Sequence, residues 1–431
     1  MMMALIGFAA LIAISLTGIP LAYGTLLIGF VGFAVVRGWE PALAMTGQQV
    51  TDMISNSNFV VVPIFILMGE FIRRGGIADE LYEAANALLG RLRGGLAMST
   101  ILACGAFAAV CGSSVACAAT MTKVALPPMR RFGYHDKLAA GTVAAGGTLG
   151  ILIPPSIPMV IYCVFAREDI GRMFMAGVVP GLLMMLIFVA TIAIWVRMDK
   201  DIVAPGIMPS RSARFAAIRK TWAFIALFLL VLGSLYLGVA TPNEAASIGA
   251  VGAYLFALAR GKMRRWSEYR ELFGGAIATT AAILAIASCG LVFSQFINIV
   301  GLPYALQQLV ASWELHGTAL VLPILGLCII LGFVFEALAI LILIVPIFLP
   351  SLQAGGVDLI WFGILMIIKT EFGLITPPFG INVFTVRSAQ PDVALGDIFR
   401  GIVPFIVAML VTAALILVFP EIATALPNMM R

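Results

Sequence analysis

The sequence predicts an all-α polytopic membrane protein with two inverted repeats, each containing a re-entrant helical hairpin and a broken helix. Three observations predict this fold: an apolar composition, two apolar stretches too long for one membrane crossing, and a motif that recurs at a fixed offset. Of the 431 residues, 62% are hydrophobic and only 11% are charged, whereas soluble proteins carry about 25% charged residues. This composition excludes a soluble domain, a disordered chain, a nucleic-acid binder and a disulfide-stapled secreted module, and it makes the lipid bilayer the surrounding solvent.

Most of the chain divides into apolar segments of membrane-spanning length, because a helix needs about 20 residues to cross a hydrocarbon core of about 30 Å. For residues 4–36, two short spans and one helix kinked at Thr17-Gly18-Ile19-Pro20 are both possible. The predicted spans are 4–18, 21–36, 57–72, 138–166, 173–196, 221–240, 243–260, 272–300, 361–386 and 402–420.

Two further apolar stretches, 96–129 and 318–350, do not fit as single spans. Half of either stretch reaches only about 25 Å at 1.5 Å per residue, so each is too long for one crossing and too short for two. We therefore predict re-entrant hairpins with tips at Gly112-Ser113-Ser114 and Phe335-Glu336-Ala337. Non-helical backbone at membrane depth is tolerated only where protein or a watery cavity satisfies its polar groups. The tips are therefore candidate sites.

The basic residues indicate the orientation of the chain. With two re-entrant hairpins, 20 of the 26 Lys and Arg residues fall in loops on one side of the membrane. By the positive-inside rule that side is cytoplasmic. The first hairpin then enters from the cytoplasm and the second from outside, which makes the two halves inverted.

A Gly-x-x-x-Pro-Pro motif occurs twice in the chain, at 150–155 in the first half and at 373–378 in the second half. Consecutive prolines remove two helical N–H donors and glycine permits unusual dihedral angles, so the helices over 138–166 and 361–386 should unwind there. The helix-breaking prolines are Pro154, Pro155, Pro377 and Pro378.

These features divide the chain into a first repeat at 1–200, a cytoplasmic linker at 201–220 and a second repeat at 221–431. Inverted repeats with broken helices are typical of secondary transporters. Unwound carbonyls can bind a cation there, and half-helix N-termini can attract an anionic substrate.

Several motifs, in a shared order over essentially the whole chain, resemble the large membrane subunit of tripartite ATP-independent periplasmic (TRAP) transporters. The motifs are Cys111-Gly-Ser-Ser-Val-Ala116, Gly147-Thr-Leu-Gly-Ile-Leu-Ile-Pro-Pro-Ser156, Ala240-Thr-Pro-Asn-Glu-Ala-Ala246 and Glu371-Phe-Gly-Leu-Ile-Thr-Pro-Pro-Phe-Gly-Ile-Asn382.

The resemblance implies a sodium-coupled, elevator-type importer in the bacterial inner membrane rather than an enzyme. Its implied partners are a small four-helix membrane subunit and a periplasmic substrate-binding protein. The implied substrate is an organic anion such as a C4-dicarboxylate or a sialic acid. Na+ is the coupling ion, and neither a cofactor nor a transition metal is expected.

Small and polar residues at the first hairpin tip and at the two helix breaks are the candidate cation ligands. The alternative for each is a structural role, in close helix packing or in satisfying backbone groups freed by the breaks. Ser156, Glu336 and Glu371 are candidates for substrate contact or ion coupling, because a carboxylate at membrane depth is costly and usually faces a cavity or a partner. The cation candidates are Gly112, Ser113, Ser114, Gly147, Thr148, Gly150, Gly373, Thr376, Gly380 and Asn382.

Other charged residues have structural interpretations. Thr241 and Glu244 have the spacing of a helix capping box, and Glu70 precedes Arg73 by one helical turn, which predicts an ion pair at a helix end. The segment 77–93 predicts an amphipathic interfacial arm. Lys123 and Lys369 lie within apolar segments as possible partners for the buried acids.

Three alternatives remain at this stage. The nearest is a stand-alone cation-coupled dicarboxylate symporter that needs no binding protein. An ion channel would be expected to show ring-forming charges or a filter segment. A membrane enzyme would need catalytic groups, but the sequence has no HExxH motif and only two histidines.

Overall fold

The computed structural model describes residues 2–199, 202–203, 211–332, 335–377 and 380–430. The described residues form helices and connecting turns. The predicted fold class is therefore confirmed: the chain is an all-α polytopic membrane protein in which helical hairpins and broken helices occur twice.

The chain begins with a hairpin of two short helices, α1 (Met2–Leu16) and α2 (Leu21–Arg37). The helices contact each other along their length, and Gly7 of α1 and Gly32 of α2 both lie against the Phe296 ring. Residues 4–36 therefore form two helices that fold back on one another, because Gly18 adopts a left-handed conformation and Pro20 interrupts the helical hydrogen bonding.

The first repeat contains the elements that the sequence predicts between residues 57 and 198. Its hairpin is broken at Gly112-Ser113, and its broken helix bends by 40° between Leu152 and Ile157. Its helices are α4 (Val61–Arg74), α5 (Ile77–Leu89), α6 (Gly95–Cys111), α7 (Ser114–Arg131), α8 (Asp136–Leu152), α9 (Ile157–Ala166) and α10 (Ile170–Met198).

The second repeat has the same element order. Its hairpin begins at Thr318 where the first begins at Gly95, and its broken helix begins at Leu359 where the first begins at Asp136. Both pairs of helix starts are related by the same offset as the two Gly-x-x-x-Pro-Pro motifs. Two helices precede this set, α12 (Trp222–Tyr236) and α13 (Pro242–Ala259). The set itself is α14 (Trp266–Ile299), α15 (Leu302–Ser312), α16 (Thr318–Leu331), α17 (Ala337–Ala354), α18 (Leu359–Ile375), α19 (Ile381–Ala389) and α20 (Leu395–Val418).

The helices pack into two groups. Helices α2 and α14 pack together, as do α13 and α4, and α4 also contacts α14. We call α1, α2, α4 and α12–α14 the scaffold. The hairpins and broken helices pack mainly on one another, and α8 contacts α6, α7 and α20.

Several helices that lie between or after the predicted spans were not predicted from the sequence. Helices α3 (Trp39–Ser55) and α15 were predicted as loops, because both mix polar with apolar residues and lack a continuous apolar run. A short helix, α21 (Glu421–Asn428), follows α20 and packs on α10.

The span count also differs from the ten predicted. By length and composition, five described helical segments can cross a membrane, or up to seven if each bent pair counts as one span. The difference arises because helices such as α1 and α2, of 15 and 17 residues, are apolar but short.

The predicted interfacial arm is helix α5. It is tied to elements near the second repeat, since Arg260 donates to Glu80 at 2.8 Å and Lys220 donates to Glu83 at 3.0 Å. Lys220 belongs to α11 (Arg211–Lys220), which occupies the described end of the predicted linker and also packs on α5.

Candidate functional site

The tip of the first hairpin lies directly against the first broken helix. At Gly150 an added Cβ would stand 2.8 Å from the Ser113 carbonyl oxygen, and at Gly112 it would stand 3.0 Å from the Pro155 carbonyl oxygen. Gly112 also has a positive φ of 63°, which lets the chain reverse between α6 and α7 without the steric cost of a side chain. Gly147 makes a similarly close approach to the Ser114 carbonyl.

Asn382, at the start of α19, joins the second broken helix to this tip. Its Nδ2 donates to the Ser114 Oγ at 2.8 Å and to the Ala144 carbonyl at 3.3 Å. Glu371, on α18, lies beside the Ser114 side chain. We call Ser114, Glu371 and Asn382 the first cluster, and all three are at most 1% exposed.

Three oxygen atoms of the first cluster lack a hydrogen-bond partner among the described residues: both carboxylate oxygens of Glu371 and the Oδ1 of Asn382. A buried acceptor without a donor costs about 1–3 kcal/mol, and more when it is charged. A bound cation or a proton would remove this cost. The donor set, a carboxylate, an amide oxygen and a hydroxyl beside unwound backbone, contains hard oxygen ligands that suit Na+.

Other predicted residues have local structural roles. Thr148 donates to the Ala145 carbonyl at 2.6 Å, and Thr376 donates to the Phe372 carbonyl at 2.7 Å, so both hydroxyls satisfy helix carbonyls. Ser113 caps α7 by accepting from the Ala116 N–H at 3.4 Å. Gly380 precedes α19 with a φ of 46°.

The helix-breaking prolines lie where the helices end. Pro154 and Pro155 occupy the bend between α8 and α9, and Ser156 follows them with a buried hydroxyl that has no partner in the described part of the chain. Pro377 lies in the turn after α18. Pro378 lies outside the described residues.

A cavity of about 600 Å³ separates the hairpin tips from the scaffold helices α4 and α14. Gly112, Ser113 and Ser114 line it on one side, and Glu336 approaches it from the second hairpin. Glu70 and Arg73 of α4 line the opposite wall, where the Arg73 guanidinium binds the Glu70 carboxylate at 2.6 Å. The predicted ion pair is therefore confirmed, and its position brings an arginine to the cavity that contains the first hairpin tip.

A smaller cavity of about 260 Å³ lies at the second hairpin tip. Gly332, Glu336, Lys369 and Gly373 line it, and we call Gly332, Glu336 and Lys369 the second cluster. Lys369 is 4% exposed, and its Nζ has no hydrogen-bond partner among the described residues. Glu336 is exposed to both cavities, whereas Glu371 is fully buried in the first cluster.

Arg73 and Lys369 were not among the candidate site residues predicted from the sequence. Arg73 was assigned only to a helix end, because its distance from residues 112–114 depends on how α4 packs against the hairpin. The signal for Lys369 was present in the sequence, since a lysine inside an apolar segment is rare and usually faces a cavity.

Comparison with known proteins identifies the family. Residues 5–422 match the model of the family described as "Tripartite ATP-independent periplasmic transporter, DctM component". The C4-dicarboxylate TRAP transporter large permease protein DctM of Pseudomonas aeruginosa is 37% identical over 86% of each chain. The sialic acid TRAP transporter large permease protein SiaM of Vibrio cholerae is 28% identical over 96% of this chain and 95% of that protein.

A solved structure shares the fold at low sequence identity. The YdaH transporter of Alcanivorax borkumensis, whose crystal structure is described as having an unusual topology, aligns with a TM-score of 0.62. The alignment covers 88% of each chain at 15% identity. This likeness supports the helical architecture alone.

Proposed function

Because this chain belongs to the DctM component family of tripartite ATP-independent periplasmic transporters, we propose that it imports a small organic anion together with Na+. The protein is a multi-pass protein of the inner membrane and its family consists of transporter permeases. The proposal adds the coupling ion, the substrate class and the mode of movement.

Sodium coupling is supported mainly by the first cluster. Two carboxylate oxygens and one amide oxygen are buried without donors, next to a hairpin tip and a broken helix whose backbones are in close contact. Transporters use unwound carbonyls and the ends of half-helices to coordinate coupling cations. A Na+ ion at this cluster would neutralise Glu371 and join elements of both repeats.

The cavity of about 600 Å³ is our proposed substrate site. Its size lies within the range of small-molecule pockets. The Nε and Nη2 of Arg73 bind Glu70, and the remaining N–H groups of its guanidinium would donate to a substrate carboxylate. The relatives named above are described as C4-dicarboxylate and sialic acid transporters. We therefore propose a carboxylate substrate that binds between the first hairpin tip and α4.

Movement of the hairpins and broken helices against the scaffold would give alternating access. This proposal is supported by the packing of the hairpins and broken helices mainly on one another and by the sequence-predicted inversion of the repeats. The family works with a small membrane subunit and a periplasmic binding protein, and we propose both as partners here. A stand-alone symporter remains the alternative, and it would transport in liposomes that contain only this chain.

The test is the melting temperature of detergent-purified protein titrated with NaCl or KCl at constant ionic strength. A ligand that binds only the folded state stabilises it by about 2.7 kcal/mol at a hundredfold excess over Kd. We expect a saturable rise in NaCl alone, and an apparent Na+ affinity at least about tenfold lower in Glu371→Gln. Glu40→Gln, an exposed acid on α3, is the matched control and should behave as wild type.

Equal curves in NaCl and KCl would reject sodium binding at the first cluster. Proton coupling is then the second candidate, because a protonated Glu371 would also relieve the two unpartnered oxygens. It predicts uptake that depends on pH in the wild type and loses that dependence in Glu371→Gln.

A further inference from the structure

Lys369 places a positive charge at the end of a half-helix in the second hairpin. Its Nζ stands 3.1 Å from the point where a Cβ on Gly332 would be. The carbonyl oxygens of Ile329 and Cys328 stand 3.2 and 3.3 Å from the same point. The ammonium therefore shares a small volume with the carbonyl end of α16.

The carbonyl end of a helix carries a partial negative charge and favours cations. In transporters with discontinuous helices, such ends and unwound carbonyls coordinate the coupling cation. In this chain the corresponding volume at α16 already contains an ammonium that is 4% exposed and makes no ion pair within the described residues. Glu336, which lines the same cavity, adds a negative charge to its wall.

The two repeats differ at this position. At the offset that relates Gly150 to Gly373, the counterpart of Lys369 is Gly146, which carries no charge and packs against the Cys104 side chain. The first cluster, which joins the first hairpin tip to α18 and α19, instead leaves the Glu371 and Asn382 oxygens without donors among the described residues. Among the described residues, the first cluster thus has unpaired acceptors, and the second cluster has a buried lysine nitrogen without a hydrogen-bond partner.

We propose that the Lys369 ammonium takes the place of a bound cation at the second hairpin tip, so that transport couples to an ion at the first cluster alone. The part of this inference that concerns coupling to an ion at the first cluster alone rests on the proposed sodium coupling. The lysine charge stabilises the negative end of α16 throughout the cycle, and it moves with the hairpins instead of exchanging with solution.

The experiment removes the ammonium and supplies a soluble cation in its place. Lys369→Ala opens a cation-sized space at the carbonyl end of α16. We expect its melting temperature to fall and to be raised again by methylammonium chloride, and its NaCl titration to change from a single-site to a two-site curve. Lys123→Ala is the matched control, because Lys123 is an exposed lysine on α7, and it should show neither response to methylammonium nor a second Na+ component.

Two results would overturn the proposal. One is a Lys369→Ala protein whose melting temperature responds to neither methylammonium nor additional Na+. The other is a wild-type protein that binds two radioactive ²²Na+ ions per chain at saturation, a measurement that does not require the variant to fold.

Sodium coupling and the role of Lys369 can each be rejected without rejecting the other. If the melting temperature of the wild type does not respond to Na+, sodium coupling is rejected. The response of Lys369→Ala to methylammonium still decides the role of the lysine. If the wild type binds one Na+ and Lys369→Ala gains no cation response, only the role of Lys369 is rejected.

Discussion

Gly150 is a residue at which the backbones of the first hairpin tip and the first broken helix approach closely. Replacing it with alanine would place a Cβ 2.8 Å from the Ser113 carbonyl oxygen and 3.0 Å from the Ser114 Cα. Because backbone atoms cannot move aside as a flexible side chain can, the tip must shift. We expect Gly150→Ala to lower the apparent Na+ affinity and the initial uptake rate, measured by thermal titration and by transport in proteoliposomes.

Gly275 on α14 provides the control for this change. An added Cβ there meets nothing within 4 Å, and alanine is favoured over glycine in a helix by up to about 1 kcal/mol. Gly275→Ala should therefore keep or raise the melting temperature and leave the Na+ affinity unchanged. Equal Na+ affinities in the two variants would show that the contact at Gly150 does not position the first cluster.

The capping box at the start of α13 gives a second prediction at this scale. The Thr241 N–H donates to the Glu244 carboxylate at 2.8 Å, and the Glu244 N–H donates to the Thr241 hydroxyl. The bonds that the Thr241 N–H and the Thr241 hydroxyl donate to the Glu244 carboxylate lower the pKa of Glu244 below its usual 4.5. Loss of an N-cap hydroxyl costs about 1 kcal/mol, so Thr241→Ala should lower the melting temperature at pH 7.

The pH dependence of this effect has a defined sign. A carboxylate with a lowered folded-state pKa stabilises the fold above its unfolded pKa, and the contribution is lost as pH falls through the folded value. The difference in melting temperature between wild type and Thr241→Ala should therefore shrink below about pH 4.5. Thr424→Ala on α21, whose hydroxyl only donates to a local carbonyl, should show no such trend. A difference that is constant from pH 7 to pH 4 would contradict the role of the charged Glu244.

The capping box and the Glu70–Arg73 pair could be predicted from the sequence, because the two residues of each lie within one helical turn. The Asn382–Ser114 hydrogen bond was not predictable as a contact, since 268 residues separate the two side chains. The sequence could place both residues at breaks in helices, but only the packing of α19 on α7 brings them together.

At the scale of elements, helix breakers determined what could be predicted. Glycine and proline marked the first hairpin break and both broken helices, and most observed helix ends lie within a few residues of the predicted ones, although α14 and α20 begin earlier. Helices α3 and α15 were missed because polar residues interrupt their apolar runs. The choice between one kinked helix and two helices at residues 4–36 depended on contacts with Phe296 of α14.

The arm α5 gives a prediction that compares two ion pairs. The Glu80 and Arg260 side chains are 14% and 29% exposed, whereas those of Glu83 and Lys220 are both 53% exposed. Exposed pairs contribute about 0–1 kcal/mol because water screens them and ordering long side chains costs entropy. A double-mutant cycle with Glu80→Ala and Arg260→Ala should therefore give a larger coupling energy than one with Glu83→Ala and Lys220→Ala.

Thermal or denaturant unfolding at low and high salt measures these couplings. The Glu83–Lys220 coupling should fall close to zero at high salt, since ionic strength screens exposed charges. A cycle in which the exposed pair couples more strongly would mean that α5 is anchored mainly through α11.

At the scale of the whole molecule, the scaffold contacts the hairpin group through α4 on α6 and through α14 on α17, and the first of these contacts includes a close approach of two backbones. At Gly69 of α4, an added Cβ would stand 3.1 Å from the Cys111 carbonyl oxygen and 3.5 Å from the Cys111 Cα. Such a contact lets two helix backbones pass each other without interlocking side chains. The proposed elevator movement requires this contact to break and re-form during each cycle.

A cross-link at this contact tests the movement directly. Cys111 is a free thiol, and a Cβ on residue 69 would stand 3.5 Å from the Cys111 Cα, so a Gly69→Cys variant places a second thiol beside it. With the other five cysteines replaced by alanine or serine, oxidation should stop uptake and reduction should restore it, because the hairpin is then held to α4. The matched control joins the arm to α11 through Glu83→Cys and Lys220→Cys with a bifunctional thiol reagent, because these residues meet at the ends of long side chains. It should leave uptake intact. Full uptake by protein that is quantitatively cross-linked between residues 69 and 111 would mean that the first hairpin tip does not slide along α4, and that access alternates through another movement.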